Sequence, residues 1–248
     1  MTEAIATLKK TPYNSKEHQK ALEAVKKQTD KKYPNQYVLA YEREYFNFAF
    51  RNDMIMSSDE NLKALMDTVI GIDDYQAGGF KERSEVEHNL KWKQLNTFTL
   101  IHDGVNALVL CKADNDVLTL AGGHVDYEQQ AIFKPVGKII ERSARREIVE
   151  EISFKEPISF KDIRLKKLAL FNTNNDWNKI LHACMCYEWI VEDVKKLKAS
   201  SGEKKHSVKI MNMESILTDK KTDPWLKQAV KLTLNKIKKS KNIAVEHK

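Results

Sequence analysis

Residues 139–152 constrain the fold more than any other stretch of this chain, because they combine an apolar stripe with a cluster of acids. Apolar side chains recur at every fourth position, the spacing of one face of an α-helix: Ile140, Ala144, Ile148 and Ile152. Three carboxylates fall on the opposite side of this predicted helix: Glu147, Glu150 and Glu151. The pattern predicts a helix that packs its stripe on a sheet and holds three acids within reach of a common point.

Spacing alone leaves two interpretations of the three glutamates. In the first, the helix face is ordinarily solvated and supported by an i,i+4 ion pair of Arg146 with Glu150, which contributes only about 0.2–0.5 kcal/mol. In the second, the glutamates bind a divalent cation. Glu147 and Glu151 repel each other at i,i+4, and a hard cation with oxygen ligands relieves that repulsion. Spacing by itself favours the solvated face.

The rest of the chain mixes strands with helices. Apolar runs on both sides of Asp103-Gly104 predict a β-hairpin, and residues 164–191 predict a second hairpin with its turn at 172–178. Residues 118–124 predict a strand that runs into Gly122-Gly123. Helices are predicted where a cap or a proline precedes an apolar period, over 15–31, 57–71 and 224–239. Hairpins alongside helices indicate an α+β fold.

The positive charge is concentrated at the two ends of the chain. Of the net charge of +7, residues 1–32 carry +4 and residues 220–248 carry +7, which leaves −4 on the residues between them. Lysine-rich helical ends are usually solubilising faces, and contact with nucleic acid is the alternative. The basic pI is therefore poor evidence for a basic catalytic groove.

We expect a cytoplasmic protein with reduced thiols. No apolar run approaches the roughly 20 residues that a membrane span needs, and residues 1–19 lack the apolar core of a secretory signal. The cysteines are odd in number and lie in apolar runs, as buried cytosolic thiols do: Cys111, Cys184 and Cys186. His182 alternates with two of them, but a fourth zinc ligand at suitable spacing is missing, so core packing is the better interpretation.

The residues around the acids carry a family resemblance. Residues 146–154 read Arg-Glu-Ile-Val-Glu-Glu-Ile-Ser-Phe, and a predicted strand ending in Gly122-Gly123 precedes them. This order resembles the Nudix hydrolase superfamily, whose box is Gly-x5-Glu-x7-Arg-Glu-U-x-Glu-Glu-x-Gly-U, with U a bulky aliphatic residue. The resemblance implies the Nudix fold, an α/β/α sandwich with a mixed sheet between helices, and a Nudix-box region at 122–154.

The chain departs from the box at four places. The loop after Gly123 is longer than usual, and Lys138 stands in the place of the first box glutamate. Ser153 replaces the final glycine, and the aromatic Phe154 stands at the last, aliphatic position. Glu141 and Glu128 are candidates to substitute for the missing glutamate.

A narrower resemblance extends over roughly residues 38–235. It is to a bacterial and phage Nudix subgroup, loosely described as phosphoesterases, in which Gly-Gly-His begins an extended loop and an acid-Pro-Trp element opens the last helix. Here these are Gly122-Gly123-His124 and Asp223-Pro224-Trp225. We therefore expect an N-terminal basic helical extension, a Nudix domain and a basic tail, at 1–35, 36–240 and 241–248.

The Nudix resemblance implies Mg²⁺- or Mn²⁺-dependent hydrolysis of a phosphoanhydride bond in a nucleoside diphosphate-linked substrate. It assigns the metal to oxygen ligands: the carboxylates of Glu147, Glu150 and Glu151 and a backbone carbonyl at Gly122 or Gly123. Arg146 is expected to orient Glu150, with contact to a substrate phosphate as the alternative. The general base would come from the helix, as Glu150, or from the loop residue Glu203, for which a solvated acid is the alternative.

Candidates for substrate contact lie in the segments near this helix: His124, Tyr127, Phe171 and Trp177. His124 would contact a phosphate or a metal-bound water, or else support the long loop by hydrogen bonds. The three aromatic residues would stack a nucleobase, and each also fits a role in packing.

Two other functions stay open. One is removal of a cap-like nucleotide, such as NAD, from the 5′ end of RNA, which the lysine-rich ends motivate. The other is a Nudix domain that binds nucleotides without hydrolysing them, which Lys138 and Ser153 keep open. The expected partner is a nucleotide-type small molecule or RNA, and no membrane. The sequence determines neither the substrate nor the oligomeric state, and a homodimer is compatible with it.

The RNA hypothesis predicts binding that weakens with salt, because lysines that contact phosphates release counterions. Removal of residues 1–32 or 220–248 is then expected to abolish binding. Fluorescence anisotropy of a labelled RNA at low and high salt measures it. Binding that is insensitive to salt, or that survives both truncations, contradicts the hypothesis.

Overall fold

The fold is built around one large mixed sheet. The computed structural model of the protein describes residues 2–13, 15–49, 54–56, 78–127, 136–172, 180–202 and 206–246. Its helices are α1 (Thr2–Lys10), α2 (Lys16–Lys32), α3 (Arg43–Ala49), α4 (Arg83–Val86), α5 (Val136–Glu151), α6 (Met213–Thr218) and α7 (Pro224–Glu246), with a 3₁₀ helix at Val194–Leu197. Its strands are β1 (Tyr37–Glu42), β2 (Met54–Met56), β3 (Gly78–Glu82), β4 (Trp92–His102), β5 (Asn106–Lys112), β6 (Leu118–Thr119), β7 (Ala121–His124), β8 (Ile152–Phe154), β9 (Leu165–Asn172), β10 (His182–Ile190), β11 (Ala199–Ser201) and β12 (His206–Asn212).

Strand β4 is the central strand of the sheet. The sheet order is β12-β5-β4-β10-β9-β2; β1 and β7 also pair with β4, β3 pairs with β1 and β6 pairs with β5. Strands β4 and β10 run parallel, whereas the other pairs are antiparallel. The glycine pair lies inside β7, where Gly122 is opposite Phe98 and Gly123 is opposite Thr97. Strands β8 and β11 form a separate two-stranded sheet.

Helices cover both faces of the large sheet. Successive side chains of a strand point to opposite faces, and the residues of β10 alternate between two apolar clusters. Ala183 and Met185 pack in the cluster that contains residues of α5, whereas Cys184 and Cys186 pack in the cluster that contains residues of α7. The α/β/α sandwich expected from the sequence is confirmed.

The apolar stripe of the acid-bearing helix is confirmed as its packing face. Ile140, Ala144 and Ile148 of α5 are at most 1% exposed, and so is Ile152, the first residue of β8. The helix begins at Val136, three residues before the start of the predicted period. Its carboxylate face is thereby turned toward the edge where α5 meets β7.

Both predicted hairpins are present. Strands β4 and β5 pair across the turn at Asp103-Gly104, where Oδ1 of Asp103 accepts the N–H groups of Val105 and Asn106. Strands β9 and β10 form the second antiparallel pair. The turn of this second hairpin, at 173–178, and the predicted helix at 57–71 lie outside the described residues.

The N-terminal helices form a small apolar cluster of their own. The serine cap predicted for α2 is confirmed, because Oγ of Ser15 accepts the N–H of His18 at 3.1 Å. Leu8 of α1 packs against Ala21 and Val25 of α2. Helix α2 also contacts α4, the short helix between β3 and β4.

The lysine-rich C-terminal segment contributes to the core. Leu226, Ala229 and Val230 of α7 are fully buried, so removal of residues 220–248 would remove one helical layer of the sandwich. A test of RNA binding at this end therefore requires substitution of exposed lysines such as Lys238, whose side chain is 68% exposed. No helix in the described parts of the chain combines the length and apolar character needed to cross a membrane.

Replacement of Ile148 by alanine is expected to lower the free energy of unfolding by about 2–5 kcal/mol, because it leaves a cavity between α5 and the sheet. The adjacent Val149 is 43% exposed, so Val149→Ala is the matched control and should change it by less than about 0.5 kcal/mol. Urea denaturation measures both. Equal destabilisation by the two variants would show that the stripe is not the packing face.

Candidate active site

Two carboxylates of α5 lie against the glycine pair of β7. Oε2 of Glu151 accepts the N–H of Gly122 at 2.6 Å. A Cβ atom at Gly123 would lie 2.7 Å from Oε2 of Glu147, and one at Gly122 would lie 1.9 Å from the carbonyl oxygen of Thr97. Real Cβ atoms do not approach other atoms this closely. Gly122 therefore permits the close pairing of β7 with β4, and Gly123 leaves the space that the Glu147 carboxylate occupies.

Arg146 makes three short contacts, two of which join the helix to the end of β7. Its Nη1 donates to Oδ2 of Asp126 at 2.7 Å, and its Nη2 donates to Oε1 of Glu147 at 2.7 Å and to the carbonyl of His124 at 3.1 Å. Its Nε lies 4.0 Å from Glu150. The expected ion pair with Glu150 is thus present but long, and the short hydrogen bonds of Arg146 go to Glu147 and Asp126. Burial alone would lower the pKa of Arg146, but Asp126 and the two glutamates outweigh it, so the pKa is raised.

Asp126 is the site residue that the sequence reasoning missed. The residue in the place of the first box glutamate, Lys138, has a 69% exposed side chain that pairs with Glu141. Glu141 also pairs with Arg145, and Glu128 lies outside the described residues. The carboxylate that meets Arg146 comes instead from Asp126, three residues after Gly123. The only signal for it in the sequence was its position at the end of the Gly-Gly-His-Val-Asp segment.

Glu150 differs from its two neighbours in exposure. Its side chain is 52% exposed, whereas that of Glu147 is 12% exposed. The end of β11 reaches the backbone at this point, since the N–H of Gly202 donates to the carbonyl of Glu151 at 2.8 Å. The chain thus arrives at the C-terminal end of α5 immediately before Glu203. Glu203 itself lies outside the described residues, so its role stays a prediction.

His124 and Tyr127 follow the glycine pair directly. The imidazole of His124 is 5.4 Å from that of His182, and its pKa is well below the usual value because of burial and then of the charges of His182, Arg83 and Arg146. Burial and these neighbouring charges both favour the neutral form of the His124 imidazole. Tyr127 is 40% exposed and makes edge contacts with Phe80 and Tyr37.

Two other predicted roles are decided by burial. Phe171 has no exposed surface and packs in the core cluster of α7, so its assignment as a base-stacking residue is wrong. Cys184 and Cys186 are free thiols in that same cluster, and burial raises the pKa of both, as expected for core packing rather than zinc ligation. Trp177 lies outside the described residues.

The donor set at the glycine pair fits a hard divalent cation. Glu147 and Glu151 lie against consecutive backbone residues and offer only oxygen atoms. Mg²⁺ is commonly held by one or two carboxylates, with waters and substrate phosphates as the other ligands. Among the described residues no three His, Cys, Asp or Glu side chains are grouped closely enough to hold a metal ion. The expected convergence of three glutamates is therefore not found, and Glu147 and Glu151 are the pair that fits.

Comparison with known proteins identifies the fold. No protein-family model and no curated protein sequence matches this chain. Among solved structures, the chain is similar to Tm1382, described as a candidate Nudix hydrolase, with a TM-score of 0.58 and 22% identity over 80% of this chain and 98% of that one. The NUDIX domain of Shewanella oneidensis NrtR, complexed with ADP ribose, matches with a TM-score of 0.43 and 12% identity over 58% and 88% of the two chains. A TM-score below 0.5 does not establish a shared fold, so the assignment of the fold rests on the similarity to Tm1382.

Replacement of Arg146 by lysine is expected to weaken Mn²⁺ binding by about 10–100-fold, because a compact ammonium group lacks the planar fork with which the guanidinium reaches Asp126 and Glu147 at once. Isothermal titration calorimetry without substrate measures the affinity. Arg142→Lys, one turn earlier on α5, is the control and should bind Mn²⁺ as the wild type does. Unchanged affinity in Arg146→Lys would instead favour a contact of Arg146 with substrate phosphate.

Proposed function

We propose that this chain, which has the Nudix fold, is a Mg²⁺- or Mn²⁺-dependent pyrophosphohydrolase. Its substrate would be a nucleoside diphosphate linked to a second group, and the cleaved bond a phosphoanhydride. One observation carries the proposal. Glu147 and Glu151 of α5 lie against the backbone of Gly122-Gly123, with Arg146 bound to Glu147 beside them. This is the arrangement that the Nudix box would require of its helix and its strand.

The roles of the residues follow from their contacts. A bound divalent cation would neutralise the diphosphate and lower the pKa of the attacking water. Glu147 and Glu151 would hold that cation, since they are the two acids that face the glycine backbone. The N–H of Gly122 holds Glu151 in place, and Arg146 holds Glu147. Both ligands are thus positioned before the substrate arrives, which lowers the cost of organising the site.

The proton of the attacking water requires a base. Glu150 is half exposed next to the two ligands, so it can reach water without leaving the helix face. Glu203 follows the segment that docks on the end of α5 and is the second candidate. Either residue could also complete the coordination of the metal as a further oxygen ligand.

The substrate would approach along the residues that follow β7. The lowered pKa of His124 favours its neutral form, in which the imidazole could donate one hydrogen bond and accept another. Tyr127 presents an exposed ring one residue after Asp126, and it remains our candidate for stacking a nucleobase. Trp177 stays a further candidate.

Lys138 and Ser153, the two departures from the Nudix box that kept a non-catalytic role open, are each compensated by other contacts. Asp126 supplies the carboxylate for Arg146 that Lys138 cannot supply. Ser153 is an exposed residue of β8, opposite Ser200 of β11, so the chain continues as a strand where a glycine would end the helix. Glu147 and Glu151 lie against the glycine pair with both departures present. These contacts favour hydrolysis over nucleotide binding alone.

Replacement of Glu151 by glutamine tests the proposal with little change in shape. The amide oxygen can still accept the Gly122 N–H, but the charge that would hold the cation is lost. Mutation of a residue that only supports a metal ligand typically lowers metal affinity or activity by about 10–100-fold. We therefore expect the loss of a direct ligand to lower turnover by more than about 100-fold. Glu150→Gln should also lower turnover, and Glu192→Gln, at an 88% exposed position, is the control.

Turnover would be measured as phosphate or nucleotide release in Mg²⁺ or Mn²⁺ over a panel of substrates. The panel contains NDP-sugars, ADP-ribose, NAD(H), dinucleoside polyphosphates, NTPs and capped RNA. Unchanged turnover in both Glu150→Gln and Glu151→Gln would show that the catalytic assignment is wrong. Activity on capped RNA alone would favour the RNA alternative.

A further inference from the structure

The contacts of Arg146 continue beyond Asp126 into the N-terminal part of the chain. The second carboxylate oxygen of Asp126, Oδ1, accepts a hydrogen bond from Nε2 of Gln36 at 3.1 Å. Oε1 of the same Gln36 amide accepts from Nη1 of Arg83 at 3.1 Å, and Nε of Arg83 donates to Glu87 at 3.0 Å. Residues Arg83, Gln36, Asp126, Arg146 and Glu147 thus form a continuous hydrogen-bonded series, here called the relay.

The polarity of the relay follows from the donors and acceptors. A guanidinium can only donate, so Arg83 must meet the oxygen of the Gln36 amide. The nitrogen of that amide is then left to donate to Asp126. Each oxygen of Asp126 consequently has one donor, from Gln36 on one side and from Arg146 on the other. With the Gln36 amide in this orientation, every hydrogen bond of the relay joins a donor to an acceptor.

Arg83, at the outer end of the relay, contacts the C-terminal end of α2. The guanidinium of Arg83 lies 3.8 Å from the ring centroid of Tyr33, the residue that caps the C-terminus of α2. The N–H of Arg83 donates to the carbonyl of Gln36 at 2.8 Å, and Val38 forms a backbone bridge with Asp126. The side chains of Arg83 and Asp126 are 14% and 18% exposed, so solvent screens these charges less than it would on an open surface.

We propose that Asp126 is a positioning residue for Glu147 that acts through Arg146, and that Gln36 and Arg83 extend this control to the N-terminal helices. The inference rests on the proposed function in one respect, since it takes Glu147 as a metal ligand. Arg146 bound to Glu147 alone would compete with a cation for that carboxylate. Asp126 shares the guanidinium charge, which weakens this competition while Arg146 still orients Glu147. The contact of Arg83 with Tyr33 joins the relay to the C-terminal end of α2.

The test is Mn²⁺ affinity measured by calorimetry on the full-length chain without substrate. Asp126→Asn is expected to weaken Mn²⁺ binding by about 10–100-fold, and Asp126→Glu to recover part of that loss because it restores the charge. Gln36→Ala, farther along the relay, should cause a smaller loss in the same direction. Asp116→Asn is the matched control: Asp116 also pairs with a cation, Lys221 at 2.9 Å, and its variant should bind as the wild type does.

A double variant separates action through Arg146 from a general structural effect. If Asp126 acts only through Arg146, Asp126→Asn combined with Arg146→Lys should bind Mn²⁺ no more weakly than Arg146→Lys alone. Fully additive losses, or unchanged Mn²⁺ affinity in both Asp126→Asn and Gln36→Ala, would overturn the inference. Thermal unfolding of each variant identifies any that does not fold, in which case Asp126→Glu and Gln36→Ala carry the test.

The outcomes also distinguish this inference from the proposed function. If the Mn²⁺ affinities follow the relay but the wild type hydrolyses no member of the substrate panel, the relay stands and the function is wrong. If Glu151→Gln abolishes turnover while Asp126→Asn leaves both Mn²⁺ affinity and turnover unchanged, the function stands and the relay is wrong. A wild type that binds no Mn²⁺ overturns both.

Discussion

The contact between the carboxylate face of α5 and the glycine pair of β7 is the constraint on which the candidate site depends. A side chain at either glycine would occupy space held by the Thr97 carbonyl or by the Glu147 carboxylate. Because Gly123 has no Cβ, the Glu147 carboxylate can lie against the strand, and Glu151 accepts the N–H of the neighbouring Gly122. Apolar packing of the opposite face of α5 sets the depth of this approach. Core packing and site geometry are thus two consequences of one helix position.

That approach brings acids into a partly buried region, where unpaired charge is costly. Arg146 compensates for this by binding Asp126 and Glu147 at once, with a backbone carbonyl as its third acceptor. The resulting cluster contains more carboxylate than guanidinium, which is the balance a cation site requires. Glu150 stays at the surface, where its charge is solvated and where water is available. The same helix therefore carries acids in two different environments.

Local patterns predicted the elements well where their causes are local. The four-residue period of α5, the serine cap of α2 and the turn at Asp103-Gly104 each follow from contacts within a few residues. Phe171 shows where such reasoning fails. It adjoins a predicted turn, which suggested an accessible ring, but pairing of β9 with β10 places it under α7. Which face of the sheet a strand residue occupies depends on pairing between distant segments, and periodicity within one strand does not decide it.

The sequence by itself determined that this chain has an α+β fold, that residues 139–152 follow a helical period with a buried stripe, and that the helix carries an acidic set next to an arginine. Helical periodicity and residue spacing are sufficient for these conclusions, because they concern neighbours along the chain. Only the tertiary structure decided which acid Arg146 holds. Asp126 lies 20 residues before Arg146, and Gln36 lies 90 residues before Asp126. Their meeting depends on the pairing of β1 and β7 with β4, which no local pattern encodes.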